Sequence, residues 1–243
     1  MADLEFVHAQ YEQDNYYTIA SSDKAQVELE WGFRWRHILE KIRARHGRAR
    51  VLDVGAGNGY FVFLARSEFG FDAQGVEISD AEIRYAREQF GVELLKSPLA
   101  ALPTDHDVVC SFNVIEHVAD PAGLLQDLHA RLRPGGSLFL STPNPACIHR
   151  RRSGLRNWGM VDPPHHINLF PRRALQELLE LSGFSIDSYT TLSTYIRFVR
   201  KYDTRNLLLR RTLFNILRAG NLGADHFFIC TASGPPATSP VRQ

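Results

Sequence analysis

Three glycines, each separated by one residue, follow an acidic residue in the stretch Asp53-Val54-Gly55-Ala56-Gly57-Asn58-Gly59. Glycine has no Cβ atom, so it adopts positive φ angles at little cost and lets a ligand lie against the backbone. Residues 51–54 are mostly apolar and β-branched, and apolar residues recur at helical spacing over positions 61–69. This pattern predicts a strand, a tight loop and a helix, the arrangement of a nucleotide-type binding turn.

The spacing of the glycines limits the classes of ligand that the loop can bind. The dinucleotide fingerprint needs glycine or alanine where this chain has Tyr60, and no Lys-Ser or Lys-Thr pair completes a phosphate-binding loop. Glu77 ends a second predicted strand, about twenty residues beyond Gly55, where a carboxylate can accept both hydroxyls of a ribose. These features favour a nucleoside bound without its phosphates, which indicates S-adenosylmethionine (SAM).

Four motifs in sequence order resemble those of the class I SAM-dependent methyltransferases. They are residues 51–59, Gly-Val-Glu-Ile-Ser at 75–79, Asn-Val-Ile-Glu-His-Val at 113–118 and Leu-Arg-Pro-Gly-Gly-Ser-Leu at 132–138. Within this family the chain resembles the ubiquinone-pathway O-methyltransferase branch. The resemblance implies SAM as the cofactor and S-adenosylhomocysteine (SAH) as the product. It does not cover the N-terminal arm or residues 190–223.

The resemblance also implies which residues bind the cofactor. Glu77 is expected to hold the ribose, and Asp53 to orient the glycine loop and the methionine end of SAM. Tyr16 and Tyr17 are either contacts from a covering N-terminal arm or packed surface aromatics. The predicted cofactor-binding set is Asp53, Gly55, Ala56, Gly57, Gly59, Glu77, Ile78, Pro98, Leu99, Asn113, Tyr16 and Tyr17.

Two adjacent histidines, His165 and His166, are the candidate catalytic residues. Histidine titrates near working pH, which suits removal of a proton from a hydroxyl acceptor during methyl transfer. The sequence His-Ile-Asn-Leu-Phe before Pro171 is similar to a family position that faces the acceptor, and this favours His166 as the general base. The alternative is that one histidine caps the following helix or binds a loop carbonyl.

Glu116-His117 raises the alternative of a divalent metal. Ubiquinone-pathway O-methyltransferases and small-RNA 3′-end 2′-O-methyltransferases carry Glu-x-x-Glu-His at the resembling position and a further histidine downstream, and some hold a metal there. This chain has Asn113 in place of the first glutamate, so it lacks one of the carboxylates that hard cations prefer. The sequence therefore assigns no metal ligand and keeps a metal-dependent mechanism as an alternative.

Alternating strand and helix patterns surround these motifs. Such alternation predicts a parallel sheet with helices on both faces, because each crossover is right-handed. Ligands of these sheets bind beyond the carboxyl ends of the strands. The resemblance specifies a Rossmann-like, doubly wound α/β fold with a seven-stranded, mostly parallel sheet and one antiparallel strand. Beyond the first strand, the predicted strands are residues 73–78, 92–96, 108–112, 137–141, 184–189 and 224–231.

Length and composition predict a single folded domain. The chain has 243 residues, 44% hydrophobic and 23% charged residues and a net charge of +1. We expect a helical lid at residues 1–47, a methyltransferase domain at 48–232 with an insertion at 190–223, and a disordered tail at 233–243. The absence of a signal-like or membrane-spanning run predicts a cytoplasmic protein, and the nearly neutral charge disfavours nucleic acid as a partner.

The segment 197–218 combines seven basic residues with one acid, Asp203, among many apolar residues. This pattern predicts a basic amphipathic helix or helix pair. It has two main interpretations, namely peripheral contact with an anionic membrane and packing on the domain or on a second subunit of a homodimer. RNA binding is disfavoured because the segment lacks an aromatic platform for stacking bases.

These observations predict O-methylation of a hydroxyl on a small-molecule, sugar or lipid-linked acceptor. N-methylation or C-methylation by the same fold stays open, because the cofactor motifs do not encode the acceptor atom. A non-catalytic SAM-binding protein is the alternative from another functional class.

Overall fold

A computed structural model describes residues 24–161, 165–192, 212, 215–217 and 219–234. The strands are β1 (Arg50–Val54), β2 (Asp72–Val76), β3 (His106–Phe112), β4 (Leu132–Pro143), β5 (Phe184–Leu192) and β6 (Asp225–Ala232). They form one sheet in the order β2-β1-β3-β4-β6-β5. Strand β6 is antiparallel to both of its neighbours, and the other pairs are parallel. The predicted mostly parallel sheet with one antiparallel strand is confirmed.

The predicted count of seven strands is wrong for the described residues, which form six. The predicted strand at residues 92–96 is reduced to a single parallel bridge between Leu95 and Val76. Two backbone hydrogen bonds make this contact, from Leu95 N to Gly75 O at 2.9 Å and from Glu77 N to Leu95 O at 3.0 Å. The chain then turns at Pro98, which has no N–H to extend a ladder, into a 3-10 turn at Leu99–Ala101.

The helices cover both faces of the sheet. They are α1 (Lys24–His46), α2 (Tyr60–Ser67), α3 (Asp80–Tyr85), α4 (Pro121–Arg131), α5 (Ile148–Ser153) and α6 (Arg172–Leu181). Ser79 caps α3 as its type predicts, accepting a hydrogen bond from Glu82 N at 3.4 Å. A π turn at Ala86–Phe90 continues α3. Helix α1 begins at Lys24 and ends at His46, within the region predicted to be a helical lid.

Two apolar clusters form the core, one on each face of the sheet. Successive residues of a strand point to opposite faces, so neighbouring positions of β1 and β3 enter different clusters. On one face, Val51 and Val108 pack in a cluster with residues of α1 and α2. On the other face, Leu52 and Val109 pack in a cluster with residues of α4 and α6. The doubly wound arrangement is therefore confirmed, and it places the carboxyl ends of β1, β2 and β3 at one edge.

The N-terminal helix is an integral part of this core. Ile38, Leu39 and Ile42 of α1 are fully buried against the sheet. Tyr16, Tyr17, most of the basic segment 197–218 and the tail from residue 235 onward lie outside the described residues. Among the helices that the structure describes, none is both long and apolar enough to span a bilayer.

Candidate active site

The glycine loop follows β1 at the carboxyl edge of the sheet. Gly55, Gly57 and Gly59 have φ angles of 73°, 51° and 73°. A Cβ atom at Gly55 would overlap the side chain of Val114, and one at Gly59 would lie 2.7 Å from Ala86 Cβ. The space beside Gly57 is open, with no atom within 4 Å of such a Cβ. Packing therefore requires glycine at the first and third positions, whereas Gly57 leaves backbone surface that a ligand can cover.

Glu77 lies directly beside this open backbone. Its Oε2 accepts a hydrogen bond from Gly57 N at 2.8 Å, and its Oε1 accepts from Ile78 N and Ser79 N at 2.8 Å and 2.9 Å. The carboxylate is thus fixed between the glycine loop and the end of β2. Ile78 is 42% exposed although it is apolar. The structure therefore brings together a fixed carboxylate and an accessible apolar side chain, which suits a ribose and its attached base.

Asp53 is a buried carboxylate whose Oδ1 has no hydrogen-bond partner among the described residues. Burial raises the pKa of the Asp53 carboxyl to about 8, and the nearby charge of Glu77 adds to the shift. Glu82, also buried, has its pKa raised to about 7 by the same two causes in the same order. An uncompensated carboxylate in the interior is costly, and a cationic ligand would relieve that cost. The residues around the glycine loop therefore fit SAM, which carries positive charge on its sulfonium and amino groups.

Asp53→Asn should change the pH dependence of stability in a defined direction. Between about pH 4 and pH 8 the folded state holds a proton on Asp53 that the unfolded state has released, so wild-type stability falls as pH rises through this window. Asparagine does not titrate. The difference in Tm between Asp53→Asn and wild type, measured without ligand and taken as variant minus wild type, should therefore increase from about pH 5 to about pH 9. Thermal denaturation checks this, and a difference independent of pH would contradict it.

Asn113, at the end of β3, lies next to the glycine loop through its neighbour Val114, which contacts Gly55. Its φ angle is 56°, an uncommon value for a residue other than glycine. Its N–H donates to Ser141 O at 2.9 Å. Pro98 and Leu99 lie at the start of the 3-10 turn that follows the Leu95 bridge. The predicted cofactor residues within the described part of the chain thus lie near the carboxyl end of β1, as Asp53 does, or follow β1, β2, β3 and the bridge at Leu95.

The turn Ile115–His117 and the loop before α6 meet at the same edge of the sheet. Ile167 N and Asn168 N both donate to Glu116 O at 3.0 Å. This anchoring brings the rings of His117 and His166 to 4.6 Å between centroids. One potential ligand atom each from Glu116, His117 and His166 lies within 4.8 Å of the other two. The structure therefore joins two motifs that are about fifty residues apart in the sequence.

Backbone carbonyls determine the tautomers of two histidines in this cluster. His166 Nδ1 lies 2.9 Å from Met160 O, and His117 Nδ1 lies 2.9 Å from His165 O. A carbonyl only accepts, so each Nδ1 carries a hydrogen and each Nε2 of the neutral rings offers a lone pair. His165 thus contributes its carbonyl to the cluster by orienting His117. Of the two predicted catalytic histidines, it is His166 whose ring reaches the cluster.

The acid and base of this cluster have opposite pKa shifts. Glu116 is fully buried, and its Oε2 accepts a hydrogen bond from Thr142 Oγ1 at 2.9 Å. Burial raises the pKa of Glu116 to about 8 and lowers the pKa of His117 to about 4. Near pH 7 both side chains are therefore predominantly neutral. A neutral imidazole is the form that accepts a proton or binds a metal.

Comparison with known proteins gives a consistent result. Residues 30–189 match a family described as a methyltransferase domain. A probable SAM-dependent methyltransferase of Mycolicibacterium smegmatis is 32% identical over 167 residues, which cover 66% of this chain and 61% of that protein. A ubiquinone biosynthesis O-methyltransferase of Bordetella avium is 32% identical over 127 residues, which cover 49% of each chain. The chain thus spans between 49% and 61% of the length of these two relatives.

A solved structure shows the same fold. Magnesium protoporphyrin IX methyltransferase from Synechocystis PCC 6803, determined with bound SAH, superimposes with a TM-score of 0.64. The alignment covers 95% of this chain and all of that one at 14% identity, so it establishes the fold and not the substrate. The family match covers more than half of the chain, and the motifs, the sheet order and the glycine loop agree with it. The chain therefore belongs to the class I SAM-dependent methyltransferase family.

Proposed function

We propose that this chain transfers a methyl group from SAM to a hydroxyl of a small-molecule, sugar or lipid-linked acceptor. The observation that carries the proposal is the position of His166, whose ring lies 4.6 Å from that of His117 and whose Nδ1 is bonded to Met160 O, at the carboxyl edge of the sheet that also holds the glycine loop. When bound, SAM supplies an electrophilic methyl group for in-line displacement. Gly57, Asp53 and Glu77 would hold it, and His166 would accept the proton of the hydroxyl at Nε2.

A metal-dependent variant of the same reaction is the second candidate. Glu116, His117 and His166 offer one carboxylate and two imidazoles within 4.8 Å, and the carbonyl hydrogen bonds on both Nδ1 atoms are typical of metal-ligating histidines. A divalent cation here would require Glu116 to ionise, against the effect of its burial. In that variant His166 would be a ligand and the acceptor hydroxyl would lose its proton to another base.

Methyl transfer from radiolabelled SAM to a cell extract tests the activity, and chemical cleavage of the product identifies the acceptor atom. Hot hydriodic acid should release the label as volatile methyl iodide from an O-methyl product, whereas a C-methyl product would retain it. Mild base separates methyl esters from ethers beforehand. Label incorporation without release would indicate N-methylation or C-methylation. SAH binding without any transfer would indicate a binding protein.

Glu77→Ala should weaken SAH binding by about 2 kcal/mol, the scale of a charge-assisted hydrogen-bonding group. The reason is that a carboxylate held beside Gly57 can accept both ribose hydroxyls. Calorimetry measures the change, with Glu82→Gln as the matched control because Glu82 is a second buried carboxylate near Glu77. Equal loss in both variants would mean that the general negative field, and not a ribose contact, determines affinity.

A further inference from the structure

Arg34 of α1 lies in the protein interior, with 2% of its surface exposed. Its Nη1 donates to Asp225 Oδ2 at 2.6 Å, and its Nη2 donates to Ser141 Oγ at 3.1 Å. The guanidinium also lies 5.7 Å and 5.2 Å from the ring centroids of Trp31 and Trp35. A buried arginine with these contacts is held in one position, and it links the N-terminal helix to the ends of β4 and β6.

Ser141 connects Arg34 to Asn113 through hydrogen bonds. Its Oγ donates to Asn113 Oδ1 at 3.0 Å, and its carbonyl accepts from Asn113 N at 2.9 Å. One lone pair of Ser141 Oγ accepts from Arg34, and the single hydrogen of the hydroxyl is donated to Asn113. Arg34 and Asn113 therefore hold the Ser141 hydroxyl between them. Ser141 therefore fixes both the amide oxygen and the backbone N–H of Asn113.

The consequence is a defined orientation for the Asn113 amide. With Oδ1 turned to Ser141, the Nδ2 group points away from it, and Nδ2 has no protein partner among the described residues. This group is a hydrogen-bond donor, and the next residue, Val114, packs against Gly55 of the glycine loop. The left-handed backbone of Asn113, with φ of 56°, is strained, so it persists when surrounding contacts hold it.

We propose that Arg34 and Ser141 are positioning residues through which α1 holds Asn113 with its amide donor directed at the cofactor. The inference rests on the proposed role of Asn113 in SAM binding. It makes α1 part of the binding apparatus in addition to its packing role. It also assigns a reason for the buried Arg34–Asp225 pair, because Asp225 compensates the charge that Arg34 brings to Ser141.

Ser141→Ala tests the inference, because Arg34→Met would leave Asp225 buried without its partner and destabilise the protein. Ser137→Ala is a matched control. Ser137 is a second fully buried serine of β4 that contacts α1, through His46 Nε2 at 2.9 Å, but it lies toward the opposite end of the strand. Ser141→Ala should raise the Kd for SAH about tenfold, whereas Ser137→Ala should leave it unchanged.

A double-mutant cycle completes the experiment. If Ser141 acts through Asn113, the double variant with Ser141→Ala and Asn113→Ala should bind SAH about as weakly as Asn113→Ala alone. Additive losses, or a Ser141→Ala variant that binds SAH as tightly as wild type, would overturn the inference and leave the proposed function intact. A folded wild-type chain without measurable SAH affinity would overturn both.

Discussion

His166→Ala is expected to lower turnover by roughly a hundredfold or more while SAH affinity is retained. The reason is geometric, since Met160 O holds Nδ1 and leaves the Nε2 of His166 to accept the acceptor proton. His166 is not among the residues that we assign to the cofactor, so its loss should leave SAH binding intact. Single-turnover transfer from radiolabelled SAM measures the chemical step, and calorimetry with SAH measures binding.

His165→Ala is the matched control for this prediction. The backbone carbonyl of His165 orients His117, and an alanine at position 165 retains that carbonyl. Turnover should therefore fall much less than in His166→Ala. A larger loss in His165→Ala would reverse the assignment of the general base.

A chelator separates the two candidate mechanisms that involve His166. With His166 as a base, wild-type turnover should be unaffected by EDTA. Inactivation by EDTA that Mg²⁺ or Mn²⁺ reverses would support the Glu116, His117 and His166 cluster as a metal site. In that case Glu116→Gln should abolish the metal response, because an amide does not supply the anionic ligand that a hard cation prefers.

Local sequence signals predicted the part of the site that is built from consecutive residues. Positive φ angles at Gly55, Gly57 and Gly59 follow directly from the spacing of the glycines, and the position of Glu77 follows from the end of an apolar strand pattern. The apolar periodicities also predicted the strands of the parallel sheet. They overestimated residues 92–96, because an apolar run does not reveal how many of its residues pair, and here only Leu95 forms a bridge, to Val76.

Contacts between distant residues were not predictable in the same way. Arg34 and Asp225 are 191 positions apart, and neither belongs to a motif. An arginine in a helix normally indicates a solvated face, so the sequence of α1 gives no sign that this one is buried. Ser141 and Thr142 are likewise inconspicuous, although they contact Asn113 and Glu116 from opposite faces of β4. The sheet topology brings these residues together, and a single sequence does not state that topology.

Gly57→Ala is expected to reduce SAH affinity by about a hundredfold, corresponding to about 3 kcal/mol, the upper end of the cost of adding a methyl group to a filled space. The space beside Gly57 is open in the structure, and Glu77 is hydrogen-bonded to its N–H. A ligand that covers this backbone would meet the new methyl group directly. The strain of alanine at a φ of 51° acts on the free and bound protein alike, so it should lower stability without changing affinity.

Gly70→Ala separates the two effects. Gly70 has a φ of 66° and equally open surroundings, but it lies between α2 and β2, away from the glycine loop. Both variants should lose about 1 kcal/mol of unfolding free energy in urea, because both place a Cβ atom in the left-handed region. Gly57→Ala alone should lose SAH binding in calorimetry. If both variants bind SAH like the wild type, the cofactor does not lie against Gly57, and the open surface there has another use.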